Sequence, residues 1–450
     1  MNRYERYKKV DLPWLEKVPE HWDYGSLKRI SNYKTGNSIK DDEKRKYSSN
    51  ENSRKFITTA DINAINMSIV HSSNIFVPYN DTRFKVSAPG STLVCIEGGS
   101  GGRKVAFSTE EVTFGNKLCS IKTYEQCDKF IYYVIRSESF NTFYSMFTNG
   151  DRNGVSLNNI GKYVLPIPSF DEQKKIVEYL DWKINEIDQL IALETEKIER
   201  LLEWEKVKIE EIIFNNSNDS SLSDWYDNIP RNSIEIKIKN IFKLRDERNH
   251  LTENEVELLS LYSKIGVIRN KDVKKTAGNK NTTVENYKNV CEQDIVVNIM
   301  LCWMGAIGVS RYNGVTSPAY DVYKPDLTKV VPEYYHYLFR TNKFKSELYK
   351  NGKGIVLMKW RVYSEKFCNI VVPLPEIEEQ RRVLNLIKKI GIAVEDCNET
   401  IYQVISNLES LKTSLISEVV TGKIDVRNVV IPSYEKVDID VSTDEEEIKE

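Results

Sequence analysis

The feature that most constrains this 450-residue chain is a short proline-containing motif that occurs twice. Residues 165–175 read LPIPSFDEQKK, and residues 372–382 read VPLPEIEEQRR. Four residues of the first copy recur 207 positions later (373 − 166 = 207), namely Pro166, Pro168, Glu172 and Gln173 as Pro373, Pro375, Glu379 and Gln380. A constant offset indicates that the two copies hold equivalent places in a duplicated chain.

A long amphipathic segment follows each copy of the motif. Apolar residues recur at steps of three and four from Val177 to Leu201, with Glu194 at one step, and again from Val383 to Leu415. Prolines before a helix suit its first turn, and acidic residues just after them favour the helix dipole. We predict a helix over 171–214, about 66 Å long at about 1.5 Å per residue. The second segment predicts a similar helix, whose course is open at Gly391.

Two such stripes in one chain most simply bury each other as an antiparallel coiled coil, although each helix could instead pack on its own domain. A second repeat lies upstream, where four residues recur 211 positions later (225 − 14 = 211): Trp14, Pro19, Leu27 and Ile30 as Trp225, Pro230, Ile238 and Ile241. The predicted fold class is α+β, with two pseudo-twofold-related domains separated by two long antiparallel coiled-coil helices.

The two blocks between the repeated segments combine strand-like and helix-like runs. β-Branched and aromatic runs bounded by Gly, Asn and Pro predict strands over 91–99, 291–303 and 367–375. Amphipathic patterns predict one closing helix per block, over 130–147 and 332–350.

The net charge of −2 conceals a segregated distribution of charge. Residues 25–160 carry 18 bases and 13 acids (net +5), and residues 235–371 carry 23 and 15 (net +8). Residues 171–214 carry 7 bases and 13 acids, and residues 435–450 carry 2 and 8, so each is −6. Two basic blocks joined by acidic helices favour nucleic acid as the partner of the blocks, unless the surface charge is simply scattered.

The motif inventory indicates binding rather than catalysis. The chain has no GxxxxGK[ST], GxGxxG, HExxH, CxxC or [DN]PP[YFW] sequence, and its four histidines are scattered. We therefore predict no catalytic residues, no metal and no cofactor in this chain. Seven unpaired cysteines, no apolar N-terminal core and no apolar run of 18 residues predict a cytoplasmic protein without a membrane association.

Candidate DNA-binding residues concentrate in glycine- and asparagine-rich turns of the basic blocks. Arginine and lysine suit phosphates and guanine edges, and asparagine suits adenine. The candidates are Arg103, Lys104, Asn116, Lys117, Arg152, Asn153 and Asn158 in the first block, and Arg311, Tyr320, Lys359, Trp360 and Arg361 in the second.

Together these motifs resemble the DNA specificity subunits of type I restriction–modification systems. The resemblance spans residues 11–427 and includes LPWLEKVPEHWDYGSLKRI, both PxP motifs, IEGGSGGRKVAF, FGNKLC, GAIGVS, SPAY and SLISEVVTGKIDVR. It implies six segments: an N-terminal segment (1–24), target recognition domain 1 (25–164), a central region with a long helix (165–214), target recognition domain 2 (215–371), a distal region with a long helix (372–422), and a C-terminal closing segment with an acidic tail (423–450).

The resemblance also implies partners and a division of labour. Each domain would read one half of an asymmetric, split target in double-stranded DNA, and the helices would set the spacer between the halves. Two modification (methyltransferase) subunits would be recruited through the helical scaffold, with Glu172, Gln173, Glu379 and Gln380 as candidate contacts, and restriction (translocase/nuclease) subunits would join them. S-adenosylmethionine, ATP and Mg²⁺ would serve those partners.

Two other interpretations stay open from the sequence. One is a coiled-coil scaffold that joins two protein-binding domains without touching DNA, and the other is an enzyme whose catalytic centre the motifs do not reveal.

Overall fold

In a computed structural model, the chain forms two compact units, residues 1–195 with 402–450 (unit 1) and residues 196–401 (unit 2). The structure describes residues 2–64, 66–148, 154–214, 223–226, 233–252, 255–263, 265–272, 284–354 and 360–436.

Unit 1 contains twelve of the described strands and the start of the first long helix. Its strands are β1 (Tyr7–Leu12), β2 (Leu15–Pro19), β3 (Asp23–Ser26), β4 (Ser31–Thr35), β5 (Ser53–Ile57), β6 (Phe76–Pro78), β7 (Val86–Ser87), β8 (Ser91–Cys95), β9 (Val105–Ser108), β10 (Val112–Phe114), β11 (Leu118–Thr123) and β12 (Val164–Ile167). Its helices are α1 (Leu27–Ile30), α2 (Asp128–Ile135), α3 (Glu138–Phe147), α4 (Leu157–Ile160) and α5 (Phe170–Phe214), which continues into unit 2.

Unit 2 contains ten described strands and the start of the second long helix. The strands are β13 (Ser233–Lys237), β14 (Phe242–Arg245), β15 (Leu259–Tyr262), β16 (Gly266–Arg269), β17 (Lys288–Val290), β18 (Ile295–Asn298), β19 (Ile307–Val309), β20 (Gly314–Thr316), β21 (Tyr320–Pro325) and β22 (Val371–Pro375). The helices are α6 (Pro332–Leu338), α7 (Asn342–Lys350), α8 (Ser364–Asn369) and α9 (Ile377–Val420), which ends in unit 1.

The two units share the topology of their main sheet. Unit 1 has the antiparallel strand order β4-β11-β8-β9, and unit 2 has the order β14-β21-β18-β19. Each unit also pairs the strand before its long helix with an upstream strand, β12 with β3 and β22 with β13. The mixed fold with two long helices is therefore as predicted, and the duplication extends into blocks whose sequences show no alignment by eye.

The duplicated tryptophans and glutamines make the same hydrogen bonds in both units. The indole N–H of Trp14 donates to the Val164 carbonyl (3.0 Å), and that of Trp225 donates to the Val371 carbonyl (2.9 Å). The Gln173 amide donates to the Pro168 carbonyl (2.9 Å) and accepts from the backbone N–H of Cys127 (2.9 Å). These contacts fasten the long helix to the segment before it and to the start of α2.

Gln380 repeats that arrangement in unit 2. Its amide donates to the Pro375 carbonyl (2.8 Å) and accepts from the backbone N–H of Val331 (2.7 Å), at the start of α6. Since both glutamine side chains are buried, the recurring proline–glutamine pair is explained by a structural connection within each unit.

The long helices pair antiparallel within each unit. In unit 1 the start of α5 packs on the end of α9 in one apolar core, with Ile176, Leu180 and Leu415 among its buried members. Lys412 forms a mostly buried ion pair with Asp188 there (2.5 Å). In unit 2 the end of α5 and the start of α9 share a second core. Helix α9 is continuous through Gly391.

The apolar stripes are less buried than predicted. Cys397, Val404 and Leu411 of the α9 stripe are exposed, the last at 53%. Off the predicted stripe of α5, Leu193 and Trp204 are exposed as well, at 54% and 45%. The antiparallel pairing is as predicted, but the predicted stripe is not buried at these α9 positions. Both helices therefore carry exposed apolar side chains.

The predicted strands and closing helices are too long. Strand β18 occupies only Ile295–Asn298 of the predicted run 291–303, and helix α8 occupies the first part of 367–375. Each predicted closing helix is two helices, because a residue in extended backbone interrupts it, Ser137 before α3 and Thr341 before α7. The Thr341 side chain also caps α7 by accepting from the Phe344 N–H.

Candidate nucleic-acid interface

Three loops of unit 1 meet at one end of its main sheet. The register pairs Leu118 with Cys95, so the β10–β11 turn and the β8–β9 turn lie at the same end of the sheet. The backbone N–H of Ile96 donates to the Lys117 carbonyl (2.9 Å), and the N–H of Val155 donates to the Ile96 carbonyl (3.0 Å). These bonds hold the β8–β9 turn between the β10–β11 turn and the segment before α4.

Four candidate residues of the first block lie in the β8–β9 and β10–β11 turns at this sheet end. Arg103, Asn116 and Lys117 are exposed. Lys104 is half-buried, and its ammonium group donates to the Thr59 carbonyl (2.9 Å), so it also supports the neighbouring loop. Gly102 turns the chain at φ +74°, with the Tyr144 ring only 2.8 Å from where a Cβ would lie, which explains the glycine.

A cleft of about 750 Å³ opens beside these loops. Its lining includes the cations Lys44, Arg45 and Lys117 and the amide side chains Asn37 and Asn116. Phosphate groups and base edges are the partners that such a mixture of cations and amides suits. No sequence pattern pointed to Lys44 and Arg45. Arg45 lies 58 residues before Arg103 of the glycine-rich turn (103 − 45 = 58).

The wall of this cleft is fixed by a buried carboxylate. Asp61 is fully buried and accepts hydrogen bonds from the backbone N–H groups of Thr58 (2.7 Å) and Ser73 (2.8 Å). The Asp61 carboxylate therefore connects two segments of the cleft lining by hydrogen bonds within unit 1.

Unit 2 builds the same sheet end from different residues. The register pairs Asn298 with Tyr320, so the β18–β19 loop and the β20–β21 turn lie together. The backbone N–H of Val362 donates to the Ile299 carbonyl (2.8 Å), and this bond brings Trp360 and Arg361 to the same end of the sheet. This bond matches the one from Val155 to Ile96 in unit 1.

The side chains of this second sheet end have different roles. Arg361 is exposed, and Tyr320 is half-buried. Trp360 stacks on Tyr349 with ring centroids 5.1 Å apart and donates its indole N–H to the Tyr349 carbonyl (3.1 Å). Trp360 therefore stabilises the loop, whereas Arg361 faces solvent.

Some of the remaining candidate DNA-binding residues lie away from these two sheet ends. Arg311 is exposed but lies beyond Val309, which pairs with Ile295, so it is at the opposite end of the sheet from Asn298. Asn158 is exposed on α4, three residues after Val155. Arg152, Asn153 and Lys359 lie outside the described residues.

The candidate partner contacts on the long helices face inward. Beside the buried Gln173 and Gln380, Glu172 is buried and accepts from the Tyr4 hydroxyl (2.7 Å), with the His21 imidazole at 3.0 Å. Glu379 forms an ion pair with Arg382 (2.6 Å). The structure gives these residues roles inside the chain, and their contact with a partner subunit stays a prediction.

Within the described ranges, no His, Cys, Asp and Glu side chains gather in threes as a metal site would require. Over those same ranges, no helix has the length and hydropathy needed to cross a membrane.

The duplicated α+β units with paired long helices agree with the fold that the resemblance implies. Residues 19–203 match the family model of the type I restriction modification DNA specificity domain. This match covers 185 of the 450 residues (203 − 19 + 1 = 185), and it confirms the resemblance stated from the sequence.

One of two similar solved structures supports the fold over most of the chain. A chain from the structural study of complex assembly and conformational transition of the type I R-M system aligns with a TM-score of 0.57 and 13% identity, covering 90% of this chain and 99% of that one. The HsdS subunit from Thermoanaerobacter tengcongensis aligns with a TM-score of 0.45 and 14% identity, covering 90% and 98%.

Proposed function

We propose that this chain is the DNA-reading subunit of a type I restriction–modification complex, in which each unit recognises one half of a split, asymmetric duplex target. The observation that carries this proposal is the repeated sheet end, where equivalent loops converge in both units. The loops differ in sequence between the units, as two dissimilar half-sites require.

Affinity and sequence choice have separate sources in this proposal. Exposed cations such as Lys117 and Arg361 supply phosphate contacts, which make binding sensitive to salt. Amide side chains such as Asn116 and the cleft beside it supply contacts to base edges.

Two modification subunits are proposed to bind the long helices. The support is the set of exposed apolar side chains along α5 and α9, including Leu193, Trp204, Val404 and Leu411. Large apolar side chains left uncovered on a helix are typical of surfaces that another protein covers. Methyl transfer from S-adenosylmethionine, and ATP- and Mg²⁺-dependent restriction, are assigned to the partner subunits.

The experiment that tests this function compares binding with the modification pattern in cells. The chain is expressed with its modification subunits, and sequencing of methylated adenines defines the target motif. The purified complex is expected to bind a duplex with that motif at least 10³-fold more tightly than a scrambled duplex. Equal affinity for both duplexes, with the modification subunits bound, would favour a scaffold that does not read DNA.

A control experiment tests whether methyl transfer belongs to the partner subunits or to this chain. The chain without partner subunits is incubated with labelled S-adenosylmethionine and the motif duplex, and no methylated DNA is expected. Methyl transfer by the chain alone would show that it carries a catalytic centre of its own.

A further inference from the structure

The β8–β9 and β18–β19 loops occupy equivalent places in the two units but have opposite chemistry. The first loop, residues 97–104, reads EGGSGGRK, and the second, residues 299–306, reads IMLCWMGA. Leu301 is 40% exposed and Met304 is 50% exposed. Unit 2 therefore presents large apolar side chains where unit 1 presents glycines and a cation.

The apolar loop is held in one conformation by the residues around it. The Asn298 side chain accepts from the backbone N–H of Met300 (3.0 Å), and the Trp303 indole donates to the Met300 carbonyl (2.9 Å). Cys302 is fully buried in the core of unit 2, and Gly305 ends the turn at φ +100°. Such anchoring lowers the entropy lost on binding, because the exposed tip is already ordered.

The loop lies next to cations. The aliphatic part of Lys345 is 3.6 Å from where a Gly305 Cβ would lie. Lys353 and Arg361 pair through two backbone hydrogen bonds, and the neighbouring Val362 bonds to Ile299 at the start of the loop. An apolar tip beside exposed positive charge, in a block of net +8, complements a polyanion that also has apolar groups.

We propose that Leu301 and Met304 contact the 5-methyl groups of thymines in the half-site that unit 2 reads. The thymine methyl is the apolar group that duplex DNA presents in its major groove, and apolar side chains are its usual contacts. This inference rests on the proposed function and adds a mode of recognition that only one unit uses.

The test removes the methyl groups and the apolar side chains separately. The complex with modification subunits is titrated with the motif duplex and with duplexes that carry deoxyuridine for every thymine of one half-site or the other. The double variant Leu301→Ser/Met304→Ser is measured in parallel. The matched control is Leu327→Ser, because Leu327 is 54% exposed and follows β21 at the opposite end of the same sheet.

For the wild type and the Leu327→Ser control, deoxyuridine in the half-site that unit 2 reads is expected to weaken binding about fourfold per contacted methyl group. The double variant is expected to bind the unmodified duplex as weakly as the wild type binds the deoxyuridine duplex, with no further loss on that duplex. Deoxyuridine in the other half-site is expected to affect both proteins alike.

A wild type indifferent to deoxyuridine in both half-sites, or a double variant that keeps the full penalty, would overturn the inference while leaving DNA reading intact. Loss of modification subunits from the double variant, with the penalty unchanged, would instead identify the loop as a protein contact. A wild-type complex that does not distinguish the motif from a scrambled duplex would refute the proposed function itself.

Discussion

Val362 donates its backbone N–H to the carbonyl of Ile299 over 2.8 Å, and this bond ties the segment before α8 to the loop that leaves β18. Val155 makes the same bond to Ile96 in unit 1 over 3.0 Å. The valines are 207 positions apart (362 − 155), the same offset as the proline–glutamine motif. The duplicated scaffold therefore fixes the place of the loops as well as the start of the long helices.

Removing the exposed cations at the sheet ends should weaken DNA binding and its dependence on salt. For Lys117→Gln and Arg361→Gln we expect the slope of log K against log[salt] to fall by about 0.9 each, the value for one phosphate contact. The measurement is fluorescence anisotropy of the motif duplex at several salt concentrations.

Arg311→Gln is the informative comparison for these variants. Arg311 carries the same charge as Arg361 but lies at the other end of the sheet, so its loss should leave the slope unchanged. An Arg311 effect as large as that of Arg361 would mean that DNA does not approach through the described sheet end.

The paired glutamines should act as structural connections. Gln173→Leu and Gln380→Leu each remove three internal hydrogen bonds, and each leaves a backbone N–H at a helix start unsatisfied. We expect each to lower the free energy of unfolding by about 2–3 kcal/mol. Gln403→Leu serves as the control, because Gln403 is exposed on α9, and it should cost less than about 0.5 kcal/mol. Chemical denaturation measures all three, and an unchanged stability in the first two would contradict this role.

His336 should make unit 2 sensitive to acid. The His336 side chain is half-buried, its Nδ1 accepts from the Val309 N–H (3.3 Å), and the loss of solvation lowers the pKa of His336 to about 3. The unfolded chain takes up a proton at an ordinary histidine pKa of about 6.5, whereas the folded chain does so only near pH 3. The contribution of His336 to the free energy of unfolding is therefore complete above about pH 6.5 and falls as the pH drops toward 3.

By pH 5 this loss should reach about 2 kcal/mol. His336→Asn retains an acceptor near the Nδ1 position but cannot be protonated, so its unfolding free energy should change less between pH 7 and pH 5. Thermal or denaturant unfolding at the two pH values makes the comparison, and equal slopes for both proteins would exclude His336 as the source.

The long helices should determine the spacer of the target. Deleting seven residues from each helix, 192–198 and 401–407, shortens each by roughly 10 Å, or about three base pairs of B-DNA. The modified motif should then have a shorter spacer and unchanged half-sites. Replacing the same fourteen residues by an alanine-rich sequence of equal length is the control, and the spacer should stay constant. An unchanged spacer in the deletion variant would show that the helices do not set it.

The scaffold was predictable from the sequence because it follows simple periodic rules. The 207-residue offset indicates the duplication, and the prolines and the heptad spacing indicate where each long helix begins and which face is apolar. These patterns located α5 and α9 to within a few residues. The shared sheet order of the two blocks was not predictable, because strand pairing joins residues far apart, as Leu118 with Cys95 and Asn298 with Tyr320.

The site was only partly predictable for the same physical reason. Turn composition pointed to Arg103, Lys117 and Arg361, which are exposed at the sheet ends. It could not reveal that Lys104 and Trp360 are used inside the fold, since their partners Thr59 and Tyr349 are set by tertiary contacts. The apolar run 299–304 has the composition of a strand continuing from β18, so its pattern does not show that Leu301 and Met304 are exposed in a loop.

The most direct test of the account is sequencing of methylated adenines in DNA from cells that express the modification subunits with the wild-type chain, with Asn116→Ala, or with Leu301→Ser/Met304→Ser. We expect the wild type to give two dissimilar half-sites around an unspecified spacer, with the first variant relaxing one half only and the second variant the other half only. A continuous motif, or a single variant that relaxes both halves together, would contradict the claim that each unit reads its own half-site.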